Sequence, residues 1–415
     1  MSRSKLQYLV LALALAVLTA CGPDVCPPDV SATMRKSPKR GVSFNFSNVE
    51  DLPLLSPSVS WAYNWGNTQN DNAALWFDSN GMDYCPMVWN NRYNPDAIRN
   101  YVALHPDTKY LLAYNEPNLT DQANMTPAQA AEQWGNVVAL ARELNLKLVS
   151  PAMNYGTLSG YSDPIKWLDE FFAQPNVSAD DIYAISVHCY MASPSALQGY
   201  IERFRKYNKP VWLTEFCAWD GMGDNPNNQV NYMVAALNYL EQSDLVERYA
   251  WFIPRAGGSV NSYPYQQLLS HTSPVELTPL GQIYTQFSSF DKKAYLPLAQ
   301  GVYPHQYVGL SNDNVPMQVT DDNKLYISGL QAGMWLDYQV VTAENKPLQI
   351  AYSSFGNCRM CVYMDGVAQT FIDLPKTADM SAVTTLNTGF VPAKGNHTLR
   401  LELLNGSMFY YSIKQ

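Results

Sequence analysis

Basic residues are scarce in this 415-residue chain: 27 Lys and Arg stand against 36 Asp and Glu, for a formal charge of −9. An acidic chain without a basic stripe is a poor candidate for binding nucleic acid, which draws on clustered cations. Long apolar runs are also lacking. The one extended run, Leu6 to Ala20, is too short to argue for a membrane-spanning helix. No grouping of His, Cys and Asp has metal-ligand spacing, so no metal and no cofactor is expected. Nothing in the composition points to disorder beyond the leader, and 47% hydrophobic residues are ample for packed cores in two domains.

What is present begins with an export signature. Met1-Ser-Arg3-Ser-Lys5 is a charged n-region, and Leu6 to Ala20 is the apolar region behind it. The segment ends Leu18-Thr19-Ala20-Cys21-Gly22, which resembles the lipobox of bacterial lipoproteins. That resemblance implies an exported lipoprotein of the outer membrane or cell surface, with residues 1–21 as signal peptide and lipidated Cys21. Residues 22–39 then form a Pro- and Asp-rich tether. Removing the leader with its Arg3 and Lys5 takes the charge from −9 to −11. Apart from Cys21, the cysteines are Cys26, Cys85, Cys189, Cys217, Cys358 and Cys361. In an exported protein disulfides are allowed; Cys189 and Cys217 each sit beside a proposed strand end, and spacing leaves their bonding open. Cys358-x-x-Cys361 lies outside any β-α-β pattern, which favours buried or bridged thiols over a redox role.

From residue 40 to about 290, apolar strand-like runs alternate with helical patterns. The strand runs are Gly41–Phe46, Ser58–Asn64, Cys85–Asn90, Lys109–Asn115, Lys147–Ala152, Ile182–His188, Pro210–Phe216 and Arg248–Ile253. Helical patterns cover Pro95–Leu104, Thr126–Leu144, Pro164–Phe172, Ser195–Tyr207, Asn228–Gln242 and Pro279–Phe287. Val49–Leu55 and Trp65–Asp83 read as loop. The alternation predicts an α/β fold, a (β/α)8 TIM barrel over residues 40–290 whose C-terminal rim carries the site. Past Asp291, short alternating strands and turn signals such as Asp365-Gly366 predict a β-sandwich over residues 296–415.

Two of the barrel runs end on a carboxylate. Lys109–Asn115 delivers Glu116, followed by Pro117, and Pro210–Phe216 carries Glu215 near its end. Strands four and seven of an eight-stranded barrel face one another across its mouth. Two carboxylates so placed are the minimum equipment for cleaving a glycosidic bond, one protonating the leaving oxygen and the other supporting the anomeric carbon or activating water.

The residues around them are similar to a known group. Asn115-Glu116-Pro117, His188-x-Tyr190, Glu215 and Trp251 resemble the clan of retaining (β/α)8 glycoside hydrolases. Within it, Arg40-Gly-Val-Ser-Phe-Asn45, Pro86-Met-Val-Trp-Asn90, Leu112-Ala-Tyr-Asn-Glu-Pro-Asn118, Val187-His-Cys-Tyr190 and Trp212-Leu-Thr-Glu-Phe216 resemble glycoside hydrolase family 128, endo-β-1,3-glucanases. The resemblance implies Glu116 as acid/base, Glu215 as nucleophile and a β-glucan as partner. Asn115 would then meet the sugar 2-hydroxyl, and Tyr190 would donate to Glu215 and keep it ionised and aimed. An apolar wall would raise the pKa of Glu116. His188 reads as a structural strand-end histidine. In the C-terminal region, Gly333-Met-Trp335-Leu-Asp-Tyr338, Val362-Tyr-Met-Asp365-Gly366 and Gly395-Asn-His397-Thr-Leu-Arg-Leu401 resemble carbohydrate-binding modules of the family 6 type, with Trp335 facing inward.

Aromatics complete the picture. Trp65, Trp89, Tyr155, Trp219 and Trp251 fall at or just beyond strand ends, where ring faces stack on sugars, whereas Trp134 and Trp167 belong to helix cores. The expectation is a monomeric, lipid-anchored retaining endo-β-1,3-glucanase. The competing readings are the same machinery on another β-glycan, and a non-catalytic glycan-binding lipoprotein.

Overall fold

A computed structural model describes residues 36–219, 226–256, 266–311, 315–320 and 325–415. The leader, Cys21, Cys26 and most of the tether lie outside the described residues. Eight parallel strands form the first sheet: β1 (Ser37–Ser43), β2 (Val59–Tyr63), β3 (Asp83–Tyr84), β4 (Tyr110–Leu112), β5 (Lys147–Val149), β6 (Ile182–Cys189), β7 (Val211–Phe216) and β8 (Val246–Trp251). Their order is β3-β2-β1-β8-β7-β6-β5-β4. The two ends of this order meet where Met87 bridges Leu112, with Val88 N donating to Leu112 O at 2.8 Å and Leu112 N to Pro86 O at 2.9 Å. The sheet therefore curls into a ring, as the alternation of strands and helices predicts.

Local chemistry fixes where many helices begin. Asn94-Pro95, Thr126-Pro127, Asp163-Pro164, Ser193-Pro194 and Thr278-Pro279 each place a polar cap before a proline, and in every case the cap side chain accepts from a backbone N–H of the first turn. Proline there loses no helical hydrogen bond, because that N–H has no intrahelical partner. Several segments differ from the sequence reading. Val49–Leu55, read as loop, is a 3-10 turn over Val49–Asp51 followed by a short helix over Leu52–Leu55, and Thr126–Leu144, read as one helix, is two, Pro127–Glu132 and Trp134–Glu143. Asp71–Asn80, read as loop, is a helix capped by Asn70 and ended by Gly81 at φ 59°, where glycine pays no Cβ penalty. Its fully buried residues are Ala73, Ala74 and Phe77, with Trp76 partly buried beside them, a face too thin to stand out in the sequence. The third strand is Asp83–Tyr84 rather than Cys85–Asn90, and residues 85–90 join the ring mainly through the Met87 bridge.

The ring is filled, not hollow. Trp61, Tyr63, Tyr110 and Trp212 occupy its centre with Met87, Leu112 and Val149. The Arg248 guanidinium lies over the rings of Trp61, Tyr110 and Trp212, with Asp83 as its carboxylate partner. Gly41 is required here: a Cβ would come within 2.3 Å of the Trp61 indole. Arg40, fully buried beneath the barrel, donates to Glu241 at 2.7 Å, to Tyr249 at 3.0 Å and to Ser58 at 2.8 Å.

The C-terminal part stacks two sheets. One runs Gly309–Leu310, Trp335–Thr342, Gly395–Asn405, Cys358–Met364, Val367–Leu374, with Leu296–Pro297 paired to Trp335–Thr342. The other runs Met317–Val319, Leu325–Gln331, Ser407–Lys414, Gln349–Ser353, Thr384–Asn387. Alternate residues such as Leu336, Tyr338, Leu401, Ile327, Ile350 and Tyr410 form the layer between them. The barrel helix Pro226–Gln242 meets the edge of the second sheet, where Asn231 and Asn227 side chains accept from Met317 N and Val319 N at 3.2 and 3.0 Å. Trp335 corrects the inward reading: its neighbour Leu336 is buried, and Trp335 lies on the outer face under the Arg400 guanidinium. The five described cysteines, Cys85, Cys189, Cys217, Cys358 and Cys361, are free and buried.

Candidate active site

The end of β4 aims the first carboxylate. Glu116 sits at φ 44°, a left-handed conformation uncommon for a residue with a side chain, and is held there by its N–H to Ala152 O at 3.0 Å and by its own carbonyl accepting from Leu119 N at 3.0 Å. Asn118, fully buried, clamps this loop to the next, with its Nδ2 donating to Asn154 O at 2.6 Å. The side chain of Glu116 thereby reaches Asn154 Nδ2 at 3.0 Å and His188 Nδ1 at 2.9 Å.

The second carboxylate depends on an irregular strand. Trp212 and Thr214 point into the ring by alternation, so Glu215 should point out. The pairing of β7 shifts register against β6 between Val187 and His188, and against β8 between Leu213 and Phe216. Such shifts re-aim side chains, and Glu215 enters the cavity beside Thr214. Its Oε1 accepts from Tyr63 OH and Trp65 Nε1, both at 2.8 Å, and its Oε2 from Tyr190 OH, with His188 Nδ1 at 3.4 Å.

A cavity of about 440 Å³ opens over the two carboxylates, with Trp65, Trp89, Asn115, Tyr190 and Trp219 in its wall. These are five of the seven residues proposed from sequence to contact sugar. Asn115 Nδ2 donates to Gln122 Oε1 at 3.1 Å, leaving its buried Oδ1 without a protein partner. Two others lie elsewhere. Trp251 is fully buried outside the ring, packed on Phe216 and Tyr284 with its Nε1 donating to Gln266 O at 2.8 Å, so its stacking role is corrected. Alternation along β8 explains it: Arg248 and Ala250 point inward, Tyr249 and Trp251 outward, and the next inward residue, Phe252, lines the cavity. Tyr155 is 47% exposed and packs beside Tyr200 and Arg203, outside the cavity lining. The sequence reading missed Phe252, Asn154, Gln122, Leu119 and Tyr63. Tyr63 had a signal, since it lies near the end of the run Ser58–Asn64 on the same parity as Trp61 and Trp65.

His188 is more than a packed strand-end residue. Fully buried, it stands between both carboxylates, and its Nε2 has no protein partner. Burial alone would lower its pKa, but the charges of Glu215 and Glu116 outweigh that and raise it above the ordinary 6.5. Glu116 moves the opposite way from the sequence expectation. Burial raises its pKa, yet the His188 imidazole and the Asn154 amide outweigh burial and hold it below the usual carboxylate range. The Tyr63 and Tyr190 hydroxyls are pushed well up, first by burial and then by Glu215, so they remain donors. Chain spacing showed no metal pattern, but the fold brings one ligand atom each from Glu116, His188 and Glu215 within 4.8 Å of one another. Those atoms already satisfy one another as a carboxylate–imidazole–carboxylate array.

The profile described as "Glycosyl hydrolase catalytic core" matches residues 41–284, the whole barrel that carries this array. The chain belongs to that family. This glycosyl hydrolase is 37% identical to a GH128 (subgroup II) endo-beta-1,3-glucanase from Pseudomonas viridiflava, with TM-score 0.54 over 60% of this chain and 98% of that one. It is 34% identical to a GH128 (subgroup II) endo-beta-1,3-glucanase from Sorangium cellulosum, with TM-score 0.53 over 60% of this chain and 97% of that one. Its catalytic core is thus of the family 128 type. Alkali-sensitive linkage protein 1 of Schizosaccharomyces pombe is 26% identical over 240 residues, 56% of this chain, and the hydrolase spans 41% of that relative's length. A second profile, "Carbohydrate binding module (family 35)", matches residues 312–412 and corrects the family 6 reading of the sandwich.

Proposed function

We propose that this hydrolase is a retaining endo-β-1,3-glucanase in which Glu116 is the acid/base and Glu215 the nucleophile. The observation that carries the reading is the closeness of the two carboxylates: Glu116 Oε1 and Glu215 Oε2 both stand on His188 Nδ1, at 2.9 and 3.4 Å, and an oxygen of each lies within 4.8 Å of the other, an approach that suits the roughly 5–5.5 Å spacing of retaining pairs better than the roughly 6.5–9.5 Å that admits a water in inverting ones. The substrate class is supported by the two subgroup II relatives, both named endo-beta-1,3-glucanases.

In the first step Glu215 Oε attacks the anomeric carbon while a proton passes from Glu116 to the leaving oxygen, breaking the glycosidic bond and forming a glycosyl ester. Water deprotonated by Glu116 then attacks the same carbon and frees Glu215. The proton is stored by a pair: His188 Nδ1 and Glu116 Oε1, 2.9 Å apart, hold one proton between them. In the free enzyme it rests on the imidazole, given the raised pKa of His188 and the lowered pKa of Glu116. Transfer across that hydrogen bond yields the neutral acid the leaving oxygen needs. The three donors on Glu215 aim it, and the free Oδ1 of Asn115 is placed to accept from a sugar 2-hydroxyl.

Digestion of linear β-1,3-glucan followed by NMR of the fresh products tests this. Oligosaccharides of mixed length released first as the β-anomer support the reading. α-Anomer would refute retention, and release of single terminal sugars would refute endo action. Glu116→Ala and Glu215→Ala should each lower kcat/KM by orders of magnitude. We further propose that the chain is a monomer exported and lipid-anchored through Cys21, which labelled-palmitate incorporation, lost in Cys21→Ser, would test.

A further inference from the structure

The sandwich has two outer faces, and they differ in chemistry. On the sheet that contains Trp335, the aromatic is already occupied: the Arg400 guanidinium sits 3.8 Å from its ring centroid and is fixed by Asp337 at 2.7 and 2.9 Å. Ion pairing continues across that face with Arg359 and Asp373 at 3.6 Å. The opposite face, on the five-stranded sheet, is different. There a cavity of about 590 Å³, larger than the catalytic one, is bounded by Tyr303, Gln349, Thr385, Tyr411, Ser412 and Lys414. Among its described lining residues Lys414 is the single charged group.

Strand alternation builds this surface. Met408 and Tyr410 turn into the sandwich, so Phe409 and Tyr411 turn out, and Tyr326 of the adjacent strand stacks on Tyr411 with centroids 4.9 Å apart and planes at 14°. Phe409 flanks Tyr326 at 5.4 Å, and Tyr326 OH is tied to Gln318 at 2.8 Å. A fixed aromatic row next to amide and hydroxyl side chains offers apolar ring contact together with hydrogen bonds, the combination that suits a neutral, hydroxyl-rich ligand. Among the described lining residues an ionic ligand would find one cation and no anion cradle.

We propose that the outer face of the five-stranded sheet, centred on Tyr411, Gln349 and Thr385, is a groove that holds a neutral β-glucan chain away from the catalytic cleft. The location follows from the sandwich alone; the choice of β-1,3-glucan as ligand rests on the substrate reading above. The groove tethers the enzyme to insoluble polymer and leaves turnover of short, soluble substrate to the barrel.

The test uses the full chain carrying Glu215→Gln to suppress turnover, and measures its depletion from solution by insoluble linear β-1,3-glucan. Tyr411→Ala, and separately Gln349→Ala combined with Thr385→Ala, should weaken binding by about tenfold or more, as loss of one stacking or hydrogen-bonding anchor implies. Trp335→Ala should bind as the parent does. In chains that retain Glu215, both groove variants should hydrolyse a short soluble β-1,3-oligosaccharide at the parental kcat/KM, with unchanged melting temperature. Groove variants that bind like the parent, or a loss of binding confined to Trp335→Ala, would overturn the proposal. A parent that hydrolyses short oligosaccharides but ignores the polymer would overturn the groove and leave the hydrolase reading intact. Groove-dependent binding without any hydrolysis would do the reverse.

Discussion

His188 Nδ1 lies 2.9 Å from Glu116 Oε1, a hydrogen bond between a buried imidazole and a buried carboxylate at the floor of the cleft. With the His188 pKa raised above 6.5, its proton leaves as pH rises through the higher folded value. The alkaline limb of kcat/KM should therefore report the pair and not a lone carboxyl. His188→Gln should move that limb toward lower pH and lower the maximum. A limb that stays in place would remove His188 from proton storage.

The same pair links pH to stability. Because the His188 pKa is raised on folding, its stabilising contribution is complete below 6.5 and fades as pH climbs through the folded value. Because the Glu116 pKa is lowered, its contribution is present above 4.5 and fades as pH falls through the folded value. Thermal melts of parent and His188→Gln should differ most between the ordinary carboxylate and imidazole values, 4.5 and 6.5, and converge as pH rises past the folded value of His188.

Glu215 takes hydrogen bonds from Tyr63, Trp65 and Tyr190. Removing one donor to a charged acceptor costs about 1.5–3 kcal/mol, so Tyr63→Phe should reduce kcat roughly 10- to 100-fold with little change in KM. Steady-state kinetics on soluble glucan will show it. An equal rise in KM would mean that Tyr63 serves binding instead.

Adjacent residues at the end of β8, Trp251 within the strand and Phe252 just past it, should separate cleanly. Trp251 is core and Phe252 is cavity wall. Trp251→Ala should cost about 3–5 kcal/mol of stability. Phe252→Ala should raise KM while the melting temperature holds. The reverse pattern would restore the stacking role to Trp251.

Beneath the barrel, Arg40 and Glu241 form a fully buried ion pair at 2.7 Å. Arg40→Leu strands Glu241 and should destabilise by about 3–5 kcal/mol, whereas Arg40→Leu with Glu241→Leu should recover much of the loss. Chemical denaturation of the three proteins gives the comparison, and a double variant as unstable as the single would argue against a charge-pair origin.

The sequence alone determined the strand-and-helix alternation, the polar-cap-plus-proline helix starts, and the placement of Glu116 and Glu215 at strand ends, because each is written in local residue pattern. Polarity of the sandwich faces was less legible: Trp335 looked inward, and only its stacking under Arg400 shows that it faces out. Tertiary structure alone decided the rest. The register shifts that turn Glu215 inward against its own alternation, the choice of Phe252 over Trp251, and the insertion of His188 between two carboxylates all arise from how neighbouring strands pair. A single strand carries no record of its partner's register, so the pKa directions that follow from that register could not be read before the ring was closed.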